Sequence, residues 1–309
     1  MNFLVTGGAG FIGSHITEHL LAAGHRARVL DDFSTGKREN LDFARGSPAL
    51  EIVEGDVRDA ARVAGAMRDM DGVFHEAALV SVPRSVERPD ISFAINAGGT
   101  LNVFEAARRA GVRRIVYASS AAVYGDASAL PLAETAALGP LAPYGLDKLY
   151  TEQLGALYAS LYRLEPVALR YFNVFGPRQD PGSPYSGVIS IFVDRLSRGA
   201  SPTIFGDGGQ TRDFVYVADV AQANLAAMAG PYGGFRVFNV ATGRRTSLNE
   251  LVAALQEILG VRVPVTHAAP REGDIRDSQA DVSAIRDVLG WTATWSLHAG
   301  LEELVGARA

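Results

Sequence analysis

Two apolar patterns alternate along the first half of the chain. Short runs rich in Val, Ile and Leu predict strands at Asn2 to Thr6, Arg26 to Leu30, Leu50 to Glu54, Gly72 to His75, Arg113 to Ala118 and Pro166 to Arg170. Between them apolar residues recur with helical period, predicting helices at Phe11 to Ala23, Asp59 to Met67, Asp90 to Ala110 and Tyr144 to Leu161. Strand and helix in repeated alternation imply crossover connections, and crossovers build a parallel sheet with helices on its faces. Regular alternation ends after Arg170. There Gly176, Pro177, Pro181, Gly182, Pro184, Gly206, Gly208 and Gly209 punctuate the chain, and loops of that kind are where ligand sites are built.

Composition narrows the partners. The chain has 309 residues, 48% of them hydrophobic, enough for one large domain or two smaller ones. A net charge of -5 gives no basic field to draw nucleic acid or an anionic membrane, so an anionic ligand must be held by locally placed Arg and Lys. The absence of cysteine excludes disulfides, thiolate metal sites and a Cys nucleophile. The six histidines lack ligand-like spacing, so no metal is expected. No run of about 18 apolar residues occurs, and Met1 leads straight into Phe3-Leu4-Val5 without a basic stretch. A soluble, cytoplasmic protein is expected.

The segment Val5-Thr6-Gly7-Gly8-Ala9-Gly10-Phe11-Ile12-Gly13 leaves the first strand and opens the first helix. Gly7 permits a tight turn, Gly10 lets backbone N–H groups approach a pyrophosphate, and Gly13 lets the helix sit close to the sheet; Phe11 and Ile12 form its first turn. Alone, such a loop is as readily an ordinary glycine-rich turn. Asp31 and Asp32 change the balance, because they end the next strand, where a carboxylate accepts hydrogen bonds from a ribose and repels a 2′-phosphate. NAD is therefore expected rather than NADP, with Lys37 and Arg38 as the countervailing cations. Asp56 and Val57 border the adenine in this reading, although Asp56 serves equally as a helix cap. Ala77 and Ala78, following His75, are small enough to admit a cofactor, while His75 itself reads as a packed strand residue.

Tyr144 and Lys148 stand four residues apart at a helix start and share a face. A tyrosine holds its proton to about pH 10, so it acts as a base near neutrality only if its phenolate is stabilised, and a nearby ammonium does that. Such a pair alone is as readily a surface Tyr lying on a Lys stem. Upstream, Ile115-Val116-Tyr117-Ala118 runs into Ser119 and Ser120 at a strand end, where Ser120 can donate to a substrate oxygen and Ser119 reads as a polar cap.

Gly7, Gly10, Gly13, Ser120, Tyr144 and Lys148 together resemble the extended short-chain dehydrogenase/reductase family over nearly the whole chain. The phrases Ser81-Val82-Pro83-Arg84-Ser85, Arg170-Tyr171-Phe172-Asn173 and Gly208-Gly209-Gln210-Thr211-Arg212-Asp213-Phe214 are similar to those of its UDP-hexose 4-epimerases. The resemblance implies a Rossmann-type, doubly wound parallel sheet over 1–170 that binds NAD, with later segments returning to it. It implies a smaller mixed α/β region over 171–309 that binds mainly the UDP-sugar. Tyr144, Lys148 and Ser120 would be catalytic. Ser81, Asn173, Val188, Thr203, Phe205, Arg212, Arg271, Asp274 and Ser278 would meet the substrate, with Arg212 and Arg271 on phosphates, Asp274 on the uridine ribose and Ser278 beside the sugar 2-substituent. Asn96 would support the active-site backbone. Plain packing explains Val188, Thr203 and Phe205 equally well. A homodimer through the helices Asp90 to Ala110 and Tyr144 to Leu161 is implied too.

The related dehydratases carry an Asp-Glu pair after the active-site hydroxyl, but Ala121 and Ala122 stand here, which argues against loss of water. Alternatives are another NAD-dependent nucleotide-sugar oxidoreductase or dehydratase, and a non-catalytic NAD sensor. The latter would need only the glycine loop and the acidic strand end.

Overall fold

The computed structural model describes residues 1–127, 129–180, 187–270 and 275–307. Seven strands form one sheet in the order Arg236–Val240, Glu165–Tyr171, Arg114–Ser120, Gly72–His75, Asn2–Thr6, Arg26–Asp31 and Leu50–Glu54. All the pairings are parallel. The chain moves outward from Asn2–Thr6 in one direction for two strands and then in the other for four. The order thus reverses between Asn2–Thr6 and Gly72–His75, and a doubly wound sheet opens a ligand crevice at the carboxyl ends of such strands.

Successive side chains of a strand face opposite ways, and the core divides accordingly. Phe3, Val5, Val29, Phe74 and Val116 pack on one face with Ile16 and Leu20 of the helix Phe11–Ala22 and with the helix Val217–Ala229. Leu4, Leu30, Val73, Ile115 and Tyr117 pack on the other, against Phe104 of the helix Gly99–Ala110 and Tyr158 of the helix Pro143–Tyr162. Fully burying a side chain of this size stabilises by about 1.5–3 kcal/mol, so both faces are strongly fixed in register. A third cluster, with Phe175, Ile189, Phe192, Val217 and Leu251, forms the core of the remaining lobe. Phe11 and Ile12 pack against it, and so tie the glycine loop to that lobe.

Three departures from the sequence expectations have local causes. The fifth strand runs on through Ser119 and Ser120, because these pair with Arg170 and Tyr171 of the next strand. The long helix expected from Asp90 to Ala110 is interrupted. Pro89–Phe93 and Gly99–Ala110 are α-helical, but 94–98 widens into a π-helical turn where the Asn96 side chain bonds the backbone of Leu79. Beyond Arg170, regular structure continues. Helices Val188–Ser197, Val217–Ala229, Leu248–Leu259, Ser283–Leu289 and Leu297–Gly306 alternate with three two-stranded sheets, and Arg236–Val240 returns to the main sheet. Glycine and proline there mark the breaks between short elements.

Candidate active site

Gly7 has φ of +66°, and a Cβ on it would lie 2.6 Å from the backbone N of Ala77. On Gly13 a Cβ would lie 2.2 Å from the carbonyl oxygen of Gly7. Both positions therefore exclude a side chain, and the helix beginning at Phe11 comes down onto the turn. Its cap, Gly10, supplies no side-chain acceptor to the first-turn N–H groups. That leaves a positive helix end beside a groove a side chain would fill, which suits a pyrophosphate. Ala77, whose N–H donates to Thr6 Oγ1 at 3.4 Å, forms the opposite wall, followed by Ala78.

Asp31 is buried; one carboxylate oxygen accepts from Ala9 N at 2.9 Å and the other from Phe33 N at 2.9 Å. It braces the glycine loop and keeps spare lone pairs for a ribose. Burial pushes its carboxyl up from the usual range, against those two hydrogen bonds. Asp32 holds Ser34. The nearby cations are paired, Lys37 with Asp180 at 3.3 Å and Arg38 with Glu54. Asp56 does not cap the following helix. It is bonded to Arg58, whose guanidinium pulls its carboxyl down, and Asp59 takes the cap by accepting from Ala61 N and Arg62 N. Val57 is buried against Gly99. His75 is held between Thr6 Oγ1 at 2.6 Å and Thr100 Oγ1 at 3.0 Å, and burial lowers it to about 3, so it is a neutral packing residue.

Tyr144 enters the helix Pro143–Tyr162 directly after a proline at its first position, where the missing N–H costs nothing. Its own N–H donates to Ser85 Oγ at 3.1 Å. Ser81 caps the short helix Val82–Glu87 through Arg84 N, so the phrase containing both serines orients the tyrosine's helix. Lys148 lies one turn on, its Nζ 5.9 Å from the Tyr144 ring centre and donating to Ala118 O at 2.8 Å. Burial raises the Tyr144 phenol above its usual 10, a hydrogen bond with Ser120 opposes this, and the charges of Glu76 and Asp147 add to the rise. In this setting the phenol keeps its proton near neutrality. Burial lowers Lys148. Ser120 also accepts from Ala122 N at 3.2 Å, turning the chain sharply past the sheet edge.

Two groups that sequence reasoning passed over shape this centre. Glu76 follows the strand directly after His75; Tyr171 Oη donates to it at 2.9 Å, and burial raises its carboxyl well above the normal range while that hydrogen bond and Lys148 pull it down. Glu152 is buried and takes a two-pronged grip from Arg170, with Nε at 2.9 Å and Nη2 at 2.7 Å, while Ser119 donates to it at 2.5 Å. Ser119 is thereby a structural neighbour of Ser120 and not a second proton carrier. The Asn96 side chain bonds Leu79 N at 2.8 Å and Asp147 Oδ2 at 3.2 Å, joining the backbone beyond Ala78 to the tyrosine's helix.

A cavity of about 500 Å³ opens in the second lobe, and Asn173, Val188, Thr203, Phe205 and Arg212 line it together. Sequence reading left packing and binding open for the three apolar-lined positions; they share this wall. Arg195, Gln210 and Leu248 also line it and were not anticipated. Asn173 donates to Asp213 O at 3.3 Å. Asp213 itself turns inward, accepting from Thr242, Gly243 and Ala280, and so fixes the strand that carries Arg212. Ser278 is buried, its N–H donating to Thr211 O at 3.2 Å. Arg271 and Asp274 lie outside the described residues. A separate recess of about 570 Å³ at the edge strand is lined by Arg28, Glu51, Asp59 and Arg62 and holds none of these groups.

Residues 3–241 match the family described as NAD dependent epimerase/dehydratase. The UDP-glucose 4-epimerase of Mycolicibacterium smegmatis is 42% identical over 308 residues, 99% of this chain and 97% of that protein. Among solved structures, the UDP-N-acetylglucosamine 4-epimerase from Methanobrevibacter ruminantium in complex with UDP-N-acetylmuramic acid is 38% identical, with a TM-score of 0.95 over 99% of this chain and 97% of that one. A UDP-glucose 4-epimerase from Thermus thermophilus in complex with NAD is also 38% identical, with a TM-score of 0.91 over 99% and 98%. Among the described residues no helix is long and apolar enough to cross a membrane.

Proposed function

This chain belongs to the NAD dependent epimerase/dehydratase family, and on that premise we propose that it inverts carbon 4 of UDP-hexoses, interconverting UDP-glucose with UDP-galactose. The observation that carries the reading is the meeting of Tyr144, Ser120 and Lys148 at one strand end, beside a glycine cradle and within the same chain as an arginine-lined cavity. Segment 1–170, with the strand Arg236–Val240, holds NAD, and 171–309 holds mainly the UDP-sugar.

NAD, held by the glycine cradle, Asp31 and Lys148, would supply a reversible hydride acceptor for carbon 4 and, in its oxidised form, a positive charge that would favour the Tyr144 phenolate. Tyr144 takes the proton of the sugar 4-hydroxyl through its hydrogen bond with Ser120. A 4-keto sugar results. After it turns over, Tyr144 gives the proton back as the hydride returns to the opposite face, so no net oxidation occurs. Lys148 holds the nicotinamide ribose and counters negative charge on the phenol. Arg212 holds the diphosphate, since an arginine fork pairs well with phosphate oxygens; Arg271 and Asp274 join it by family likeness. Asn173 meets the sugar diphosphate beside Arg212, and Ser81 lies on the substrate side.

The small Ser278 leaves room for a 2-acetamido group, so UDP-N-acetylglucosamine and UDP-N-acetylgalactosamine are interconverted as well; the N-acetylglucosamine enzyme among the relatives supports this. The protein acts in the cytoplasm, where NAD and nucleotide sugars are both present. It pairs as a homodimer. On the tyrosine's helix Leu146, Leu157 and Leu161 stay 59%, 52% and 59% exposed along one stripe, next to Phe93, and a second copy would cover that apolar band.

The test is conversion of UDP-galactose without added NAD. An epimerase recycles its cofactor and reaches equilibrium; stoichiometric NAD consumption would mark a dehydrogenase, and no turnover by NAD-loaded protein would mark a sensor. Either outcome overturns the proposal.

A further inference from the structure

Gln210 sits in the wall of the second-lobe cavity and is only 5% exposed. Its two ends differ in a way that points to a ligand. The amide Nε2 donates to Phe205 O at 2.6 Å, and the residue's own carbonyl accepts from Leu248 N at 3.2 Å. Because Phe205 O can only accept, the amide cannot be turned over, and the assignment of nitrogen and oxygen is fixed by its partner. The Oε1 atom is left as the one buried side-chain polar atom without a hydrogen-bond partner among the described residues. A buried acceptor in that position is costly unless something donates to it.

We propose that Gln210 Oε1 accepts a hydrogen bond from the nucleoside half of the bound ligand and so determines which nucleotides the site takes. The assignment rests on the UDP-sugar reading. A diphosphate near neutral pH offers acceptors and no N–H, so it cannot satisfy this oxygen; it belongs at Arg212, two residues along the chain and on the same wall. The reacting sugar belongs at Tyr144 and Ser120, which do not line this cavity. What remains for the region beside Phe205 is uridine, whose donors are the base N3–H and the ribose hydroxyls. A pyrimidine lacking N3–H, such as cytosine, presents an acceptor there and would face Oε1 with a second acceptor.

The experiment is calorimetric titration of the NAD-loaded protein with UDP, N3-methyl-UDP, 2′-deoxy-UDP and 3′-deoxy-UDP, for the parent and for Gln210→Met. The parent is expected to lose about tenfold or more in affinity for the analogue lacking the donor. Gln210→Met should bind UDP about tenfold more weakly and bind that analogue no worse than UDP. Gln210→Glu retains the acceptor and should keep the parent's ratio between UDP and that analogue, whatever the added charge does to both. Unchanged UDP affinity in Gln210→Met, or a loss shared equally by all four nucleotides, overturns the assignment while leaving the UDP-sugar reading standing. If the methionine variant does not fold, a parent that binds all four nucleotides within twofold of one another overturns it alone. Failure of the parent to bind UDP overturns both.

Discussion

Replacing Glu152 by methionine should destabilise the protein severely although the residue lies off the reaction path. Arg170 and Glu152 have side chains only 3% and 5% exposed, and their contacts at 2.9 and 2.7 Å are parallel. Removing the carboxylate leaves a buried guanidinium with only Tyr124 Oη and Glu134 O as acceptors, and strands the Ser119 hydroxyl. Breaking a buried pair from one side costs about 3–5 kcal/mol. For 309 residues the unfolding entropy is about 0.65 kcal/mol/K, from about 2.1 cal/mol/K per residue, so the expected drop in Tm is about 5–8 °C. Scanning calorimetry measures it. Because the pair is out of water, the drop should be the same at low and high salt. Placing methionine at both positions should recover part of the loss, since apolar replacements of both partners leave no uncompensated charge. A single variant within 1 °C of the parent, or a drop that vanishes in salt, would refute this reasoning.

Other outcomes follow from the same geometry. Gly13→Ala puts a methyl group 2.2 Å from Gly7 O and should weaken NAD binding by about tenfold or more, read as NAD released on denaturing the purified protein; a full complement would contradict the cradle. Burial raises Glu76 above the 4.5 of a free carboxyl, so the folded chain keeps a proton that the unfolded chain has lost, and this contribution to stability falls as pH climbs past about 4.5. Glu76→Gln should therefore match the parent near pH 5 and gain on it near pH 8 in thermal melts, and an equal difference at both pH values would refute the sign. Leu157→Glu, on the exposed stripe, should halve the mass seen by sedimentation; an unchanged mass would remove this face as the dimer contact.

The first half of the fold was legible because each signal there is local. The six strands and the glycine turn announce themselves through period and φ constraints carried by adjacent residues. The tyrosine and lysine share a helix face by spacing alone. Later elements were harder, although the helix Leu248–Leu259 carries its own marks in the Ser247 and Glu250 capping box and in Gly260 at φ +65°. The π-turn at 94–98 depends on Asn96 reaching Leu79, 17 residues away, which periodicity cannot foresee. Glu76 and Glu152 were missed for a similar reason. Each is an ordinary carboxylate in sequence, and only burial beside Tyr171 or Arg170 gives it a role. Gln210 stood inside a quoted motif, but its orphaned oxygen becomes visible only when the cavity around it is closed.

The central claim is that the Tyr144 oxygen carries the proton of the sugar 4-hydroxyl. Tyr144→Phe removes that oxygen alone, so the rate of UDP-galactose conversion should be measured on protein whose NAD content and UDP affinity match the parent's. A loss of about 10²-fold or more is predicted; conversion at the parent's rate would contradict the account.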